Sequence, residues 1–210
     1  MGAVLDYHAA TNVPAGGTDE DEHRFVGARP SVFKDYGDAE RLPLATSSAG
    51  RLLQDGAGIV RSQARRDYGG GTIHWRAYSS AGALYPVEAY VASEDGLYSF
   101  DALEGALVRL VEGDARSSVA AAAGVPPETA SFVVLTGIHA RTGWKYQERG
   151  YRHVWWDAGT MLANLLALAA AEGLEPHLYT AFLDRELNDM LGVDGRGEYA
   201  LAVVSLGTAA

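Results

Sequence analysis

The sequence predicts an α+β fold. Three observations predict it: a period-two run that begins at Pro86, a β-branched run at Ser131–Ile138, and a long apolar stretch of helical spacing between Arg149 and Glu172. Strands in meander with helices between them argue for an antiparallel sheet flanked by helices rather than a βαβ series. With 210 residues the chain is large enough to bury a core without staples. It has no cysteine, which excludes disulfides, thiolate zinc sites, iron–sulfur clusters and a cysteine nucleophile and fits a reducing, cytoplasmic setting. Lys and Arg number 17 against 27 Asp and Glu, a net charge of −10. Nucleic acids and anionic membranes both need a basic face, so neither is an expected partner.

The elements follow in chain order. Met1–Asn12 has no basic n-region and is not expected to be a signal peptide. Residues 1–45 are expected to form an extended N-terminal arm over the domain or a partner, with Val13–Glu22 a solvated acidic loop, and residues 46–210 to form the folded domain. Leu52, Leu53, Ala57 and Ile59-Val60 suggest a short helix that ends near Gly56 or Gly58. Arg61–Gly71 reads as a flexible basic loop. Val87, Ala89 and Val91 alternate with Glu88, Tyr90 and Ala92, the pattern of a half-buried strand. Asp95-Gly96 signals a hairpin into Leu97–Phe100, and Ala106–Val111 makes a third strand. Asp114 is the expected N-cap of an alanine-rich helix to Ala123, which Gly124-Val125-Pro126-Pro127 stops.

Ser131–Ile138 is a central strand. Arg149–Glu172 is the longest helix. Met161, Leu165 and Leu168 lie on one face with Leu162, Leu166 and Ala169 beside it, so it should be the buried central helix, with Gly173 ending it. Asp157, Thr160 and Asn164 interrupt its apolar run, which argues against a membrane span. Pro176–Phe182 is extended, Asp184 caps a short helix to Leu191, and Tyr199–Leu206 closes the sheet.

Two segments carry candidate chemistry. Ser79-Ser80-Ala81-Gly82-Ala83-Leu84-Tyr85-Pro86 packs hydroxyls and small residues into one turn, where backbone N–H groups can approach a planar or anionic ligand. An ordinary glycine turn is the plainer reading. Trp144–Arg152 brings Lys145 and Tyr146 side by side, two potential proton-transfer groups. A charged helix cap with Glu148 and Arg152 as an i,i+4 pair is the plainer reading there. The six histidines show no i,i+4 metal spacing, and no metal site is expected. P-loop, dinucleotide, zincin and serine-elbow motifs are absent.

The runs S-S-A-G-A-L-Y-P-V-E-A-Y-V, G-L-Y-S-F-D, W-K-Y-Q-E-R-G-Y-R-H-V-W-W-D-A-G-T and L-G-V-D-G resemble the nitroreductase-like FMN oxidoreductases. Within that family they look most like the azoline dehydrogenase (SagB-type) branch of peptide natural-product pathways, and like the N-terminal half of its tandem members. The resemblance covers nearly the whole chain. It implies an antiparallel α+β sandwich with a long central dimer helix, and FMN at an interface contacted by both chains. The activity it implies is dehydrogenation of a peptide or small heterocyclic intermediate, with hydride passing to flavin N5 and Lys145 or Tyr146 as base. It also implies cofactor contacts at Ser79, Ser80, Gly82 and Ala83. The partner is a second copy or a second nitroreductase-like chain.

The chain departs from that pattern in three places. The upstream R-R-S-x-R that holds the FMN phosphate in relatives is absent, leaving Arg61 and Arg65, with Arg66, as substitutes. Tyr179-Thr180-Ala181-Phe182 stands where relatives have a glycine-rich turn, so Thr180 and Ala181 are candidate cofactor contacts without its glycines. The sequence ends without a basic tail. Charge-assisted hydrogen bonds are each worth about 1.5–3 kcal/mol, so cofactor binding is the step most exposed to these losses. The alternative to an enzyme is therefore a degenerate, non-catalytic subunit that completes or regulates a partner chain.

Overall fold

The computed structural model describes residues 2–13, 25, 27–64, 71–127 and 131–208. Arg65 and Arg66, and most of the acidic loop 13–22, lie outside the described residues. The elements are α1 (Gly2–Ala10), β1 (Arg41–Pro43), α2 (Ser48–Ala57), β2 (Ile59–Ala64), β3 (Thr72–Arg76), β4 (Val87–Ser93), β5 (Gly96–Asp101), β6 (Ala106–Glu112), α3 (Arg116–Ala123), β7 (Ser131–Gly137), α4 (His139–Tyr146), α5 (Gly150–Ala171), β8 (Leu174–Tyr179), α6 (Asp184–Leu191) and β9 (Tyr199–Thr208). Seven strands form one antiparallel sheet in the order β1-β6-β5-β4-β7-β9-β8, and β2-β3 is a separate hairpin. The α+β prediction holds.

Strand alternation sorts the core into two layers. Val87, Ala89 and Val91 of β4 pack with Val133 and Leu135 of β7 against α2 and α5. Tyr90 and Ala92, with Phe132 and Val134, face α3 and α6. The strand at Val87 was expected to be half-buried. It is buried on both faces, because α3 and α6 cover the side expected to be wet.

Other local expectations change for physical reasons. The arm is not extended throughout. Gly2–Ala10 is a helix, and Arg41–Pro43 joins the sheet edge beside β6. The helix persists because basic groups meet its C-terminal carbonyls. Arg152 Nη2 donates to His8 O at 2.5 Å and Arg149 donates to Thr11 O. Arg152 thus turns to α1 rather than to Glu148. Residues 61–64 of the supposed loop 61–71 are strand, since Ser62 and Gln63 pair with His74 and Ile73. Ile59-Val60 belongs to that strand and not to the preceding helix, which ends at Gly58. Asp184 is the first helical residue of α6 rather than its cap.

Helix α5 was expected to be buried, and only one side of it is. Val154, Asp157, Ala158, Met161, Leu165 and Ala169 are buried, while Tyr151, Trp155 and Trp156 are exposed. His139–Ala171 is long and apolar enough to cross a membrane by length and composition. Here a 3₁₀ turn at Gln147–Arg149 separates α4 from α5, and α5 packs on the sheet.

Candidate active site

The two segments with candidate chemistry converge on one cavity of about 520 Å³. Ala81–Ala83 is a single 3₁₀ turn ahead of β4. Gly82 has φ 65°, Ala83 52° and Tyr85 43°. Positive φ is costly for residues that carry a Cβ, so Ala83 and Tyr85 must be held from outside. Ser80 Oγ accepts from Tyr85 N at 2.8 Å, Arg141 Nη1 donates to Tyr85 O at 2.7 Å, and Arg76 N donates to the Tyr85 hydroxyl at 2.8 Å. Arg141 is itself buried. Its Nη2 lies 2.6 Å from Glu88 Oε1, and its Nε reaches Ser31 O in the arm at 3.1 Å. The Glu88 contact is ionic, without hydrogen-bond angles.

Lys145 and Tyr146 close α4, so they sit at the end of one helix rather than the start of the next. Both approach Gly82. A Cβ there would lie 3.0 Å from the Tyr146 hydroxyl and 3.5 Å from Lys145 Cδ. This position needs glycine twice, for its φ and for the close approach. Tyr146 also packs on His153, with ring centroids 4.3 Å apart. Burial, and then Arg149, push the His153 imidazole below its ordinary pKa.

Helix α5 holds the turn from beneath. Asp157, Thr160 and Asn164, spaced three and four apart, share one helix face. Asp157 Oδ1 accepts from Ala81 N at 3.4 Å, Thr160 Oγ1 donates to Ser79 O at 2.9 Å, and Asn164 Nδ2 donates to Ala77 O at 3.1 Å and to Gly56 O at 3.1 Å. These three residues interrupted the apolar run in the sequence. Here they fasten the loop to the helix. Burial raises the Asp157 carboxyl to about 6, against the opposing hydrogen bonds from Ser80 and Ala81.

The cavity is lined by Ser79, Ser80, Gly82, Ala83 and Lys145, by Trp144 of the same candidate segment, and by residues that sequence reasoning missed, chiefly Arg29, Trp75, Arg76 and Tyr78. Spacing could have revealed the Asp157 stripe. No local signal marks Arg76 or Tyr78. Arg76 is buried, with Nε donating to Ala57 O at 2.6 Å and Nη2 without a partner. The buried Tyr78 hydroxyl also has no hydrogen-bond partner, and burial pushes its pKa well up. Arg61 reaches this region indirectly, its guanidinium 3.8 Å from the centroid of the Trp75 ring.

Within one chain, Thr180 and Ala181 do not join this cavity. Thr180 lines a second one with Tyr151, Trp155, Phe182 and Tyr199, beside the exposed face of α5.

A model of the nitroreductase family matches residues 42–208. The chain belongs to the nitroreductase family. Members of this family are typically FMN-dependent oxidoreductases. A protein of Methanocaldococcus jannaschii named as a nitroreductase is 27% identical over 145 residues, spanning 63% of this chain and 70% of its own. A structure described as a nitroreductase of Anabaena variabilis superposes with TM-score 0.85 at 28% identity, over 96% of this chain and 45% of that one. The present chain therefore spans less than half the length of the Anabaena protein. A chain of the E. coli microcin synthetase McbBCD complex with truncated pro-MccB17 shares the nitroreductase-like fold at TM-score 0.66 and 20% identity, covering 100% of this chain and 92% of that one.

The residues present fit a flavin. The cavity volume suits a ligand of that size. Trp75, Trp144 and Tyr85 offer flat walls, the Gly82 turn offers a close backbone approach, and the unpartnered Arg76 and Tyr78 atoms offer donors.

Proposed function

We propose that this nitroreductase-family chain binds FMN in the cavity lined by the Ser79–Tyr85 turn and acts as an oxidoreductase on a small heterocyclic or peptide-derived substrate. The observation that carries this reading is the convergence of Lys145 and the Gly82 turn on one aromatic-walled cavity, with the Tyr146 hydroxyl lying against Gly82 outside its lining. When bound, FMN supplies a two-electron acceptor. The chain's own residues do the rest. Ser79, Ser80, Gly82 and Ala83 bring backbone within reach of a planar ring. Arg61, and Arg65 with Arg66, are the cations available in place of the absent phosphate motif. Lys145 or Tyr146 takes the proton that the substrate gives up as it loses two electrons.

A spectrum of the purified protein, with mass analysis of anything released on denaturation, tests this. FMN released at about one per chain supports it. A colourless protein that takes up no added FMN overturns it.

A second reading is supported by two observations. The chain matches about half of the Anabaena protein, and α5 leaves Tyr151, Trp155 and Trp156 exposed. In this reading the chain is a non-catalytic subunit that pairs, through α5, with a second copy or a different nitroreductase-like chain. Its Thr180–Ala181 turn then contributes to the partner's site. The microcin synthetase chain of similar fold belongs to a complex with a pro-peptide, which makes a multichain assembly a reasonable comparison. FMN uptake only after a second chain is added would favour this reading. Sedimentation velocity would show the assembly. A cytoplasmic location accords with both readings.

A further inference from the structure

We propose that Arg76 and Tyr78, at the floor of the cavity, recognise the carbonyl-bearing edge of a flat conjugated ring. The FMN reading supplies the identity of the ring, and the inference rests on it for that. The site itself is argued from the two side chains.

Arg76 is 5% exposed and Tyr78 3%. Arg76 Nε is satisfied by Ala57 O, but Nη2 is buried with no partner, and the guanidinium makes no ion pair among the described residues. Its charge sits among rings instead, 5.0 Å from the centroid of Tyr78, 5.5 Å from Tyr85 and 5.7 Å from Phe100. Aromatic faces offset only part of the cost of burying a cation. The Tyr78 hydroxyl is a second buried polar atom here without a partner; Asp157 Oδ2, under the same turn but outside the cavity lining, is a third. Buried polar groups are nearly always satisfied, so two unsatisfied ones lining one cavity call for a ligand or ordered water.

The donor set narrows the ligand. A guanidinium only donates, and a tyrosine hydroxyl donates or accepts. The complement is an edge of acceptor oxygens or ring nitrogens able to carry negative charge. Trp75, Trp144 and Tyr85 line the same cavity and favour a flat body behind that edge. A phosphate suits this floor poorly, because it is tetrahedral and doubly charged and would exchange water for aromatic faces. The cations suited to a hydrated phosphate lie elsewhere. Arg61 is exposed on β2 against Trp75, and Arg29 is half-buried near Trp144.

The test uses FMN and riboflavin, which share the ring and differ in the phosphate. Both are titrated into wild type, Arg76→Gln, Arg76→Lys and Tyr78→Phe, with flavin fluorescence as the readout and near-ultraviolet circular dichroism as the folding check. Arg76→Gln is expected to weaken both flavins by the same factor, at least about tenfold, the effect of roughly one charge-assisted hydrogen bond. Arg76→Lys should recover part of that loss, and Tyr78→Phe should cost about threefold. The guanidinium should also favour the reduced, more anionic ring. Each tenfold by which Arg76→Gln weakens the reduced form beyond the oxidised form lowers the two-electron potential of the bound flavin by about 30 mV. Should Arg76→Gln fail to fold, Arg76→Lys and Tyr78→Phe decide the matter.

Loss of FMN affinity alone, with riboflavin unchanged, would overturn the inference, because the guanidinium would then serve the phosphate. Unchanged affinity for both flavins would overturn it and leave the FMN reading standing. A wild-type protein that binds neither flavin would overturn both.

Discussion

The turn at Ser79–Tyr85 and the turn at Thr180–Ala181 are both expected to face a cofactor, and the chain treats them differently. The first is fastened from three directions: by Asp157 and Thr160 of α5 beneath it, with Asn164 holding Ala77 just ahead of it, by Arg141 behind it, and by Lys145 and Tyr146 beside Gly82. The second opens on a cavity bordered by Tyr151 and Trp155, at the exposed side of α5. One turn is organised by contacts that the chain makes to itself. The other lies where a second chain would have to supply what is missing. A single chain can therefore pre-form one wall of a shared site and leave the other to an assembly.

The largest expected effect breaks the first region. Arg141→Ala leaves Glu88 buried and uncompensated and releases the Tyr85 carbonyl. Removing one member of a buried pair costs about 3–5 kcal/mol, to be read by urea unfolding. The exposed Arg185–Asp189 pair on α6, near the second cavity, is the comparison. Arg185→Ala should change stability by no more than about 0.5 kcal/mol.

Asp157→Asn sharpens the comparison through pH. The Asp157 carboxyl titrates at about 6 when folded, against 3.8 for the free side chain. As pH rises the unfolded chain therefore ionises first. The contribution of this group to stability is fully present below 3.8 and is lost as pH rises to about 6. Asp157→Asn removes that cost. It should stabilise the protein at pH 8 by up to about 3 kcal/mol, and bring no gain at pH 3.5. Calorimetry of both proteins across that range checks the sign.

Gly82→Ala places a Cβ at φ 65° and 3.0 Å from the Tyr146 hydroxyl. The φ penalty alone is about 1–2 kcal/mol. Flavin affinity should fall further, because Tyr146 must move. Gly192, at φ 71° with nothing within 4 Å, isolates the backbone term. Gly192→Ala should show a similar loss of stability without the loss of binding.

The smallest effect separates the two turns directly. Thr160→Val removes the bond to Ser79 O and should cost about 1 kcal/mol. Thr180→Ala, whose side chain makes no hydrogen bond among the described residues, should leave the isolated chain within about 0.5 kcal/mol of wild type. If Thr180→Ala destabilises the isolated chain as much as Thr160→Val, the contrast between the turns fails.

By itself the sequence determined most of the sheet. Val87–Ser93, Gly96–Asp101, Ala106–Glu112, Ser131–Gly137 and Tyr199–Thr208 were legible because alternation, β-branching and the Asp95-Gly96 turn are local signals. So was α5, from apolar spacing. In the site, Lys145, Tyr146 and the Gly82 turn could be singled out as residue types suited to chemistry, but not as neighbours. Only the tertiary structure brought them together, because α4 ends over the turn that precedes β4. Only it buried the second face of β4 and revealed Arg76 and Tyr78 as unpartnered groups, since burial and partners depend on residues distant in sequence. It also placed Thr180 outside the first cavity. The polar stripe of Asp157, Thr160 and Asn164 stands between the two cases. Its spacing is written in the sequence, and its purpose appears only when the loop it holds is folded against it.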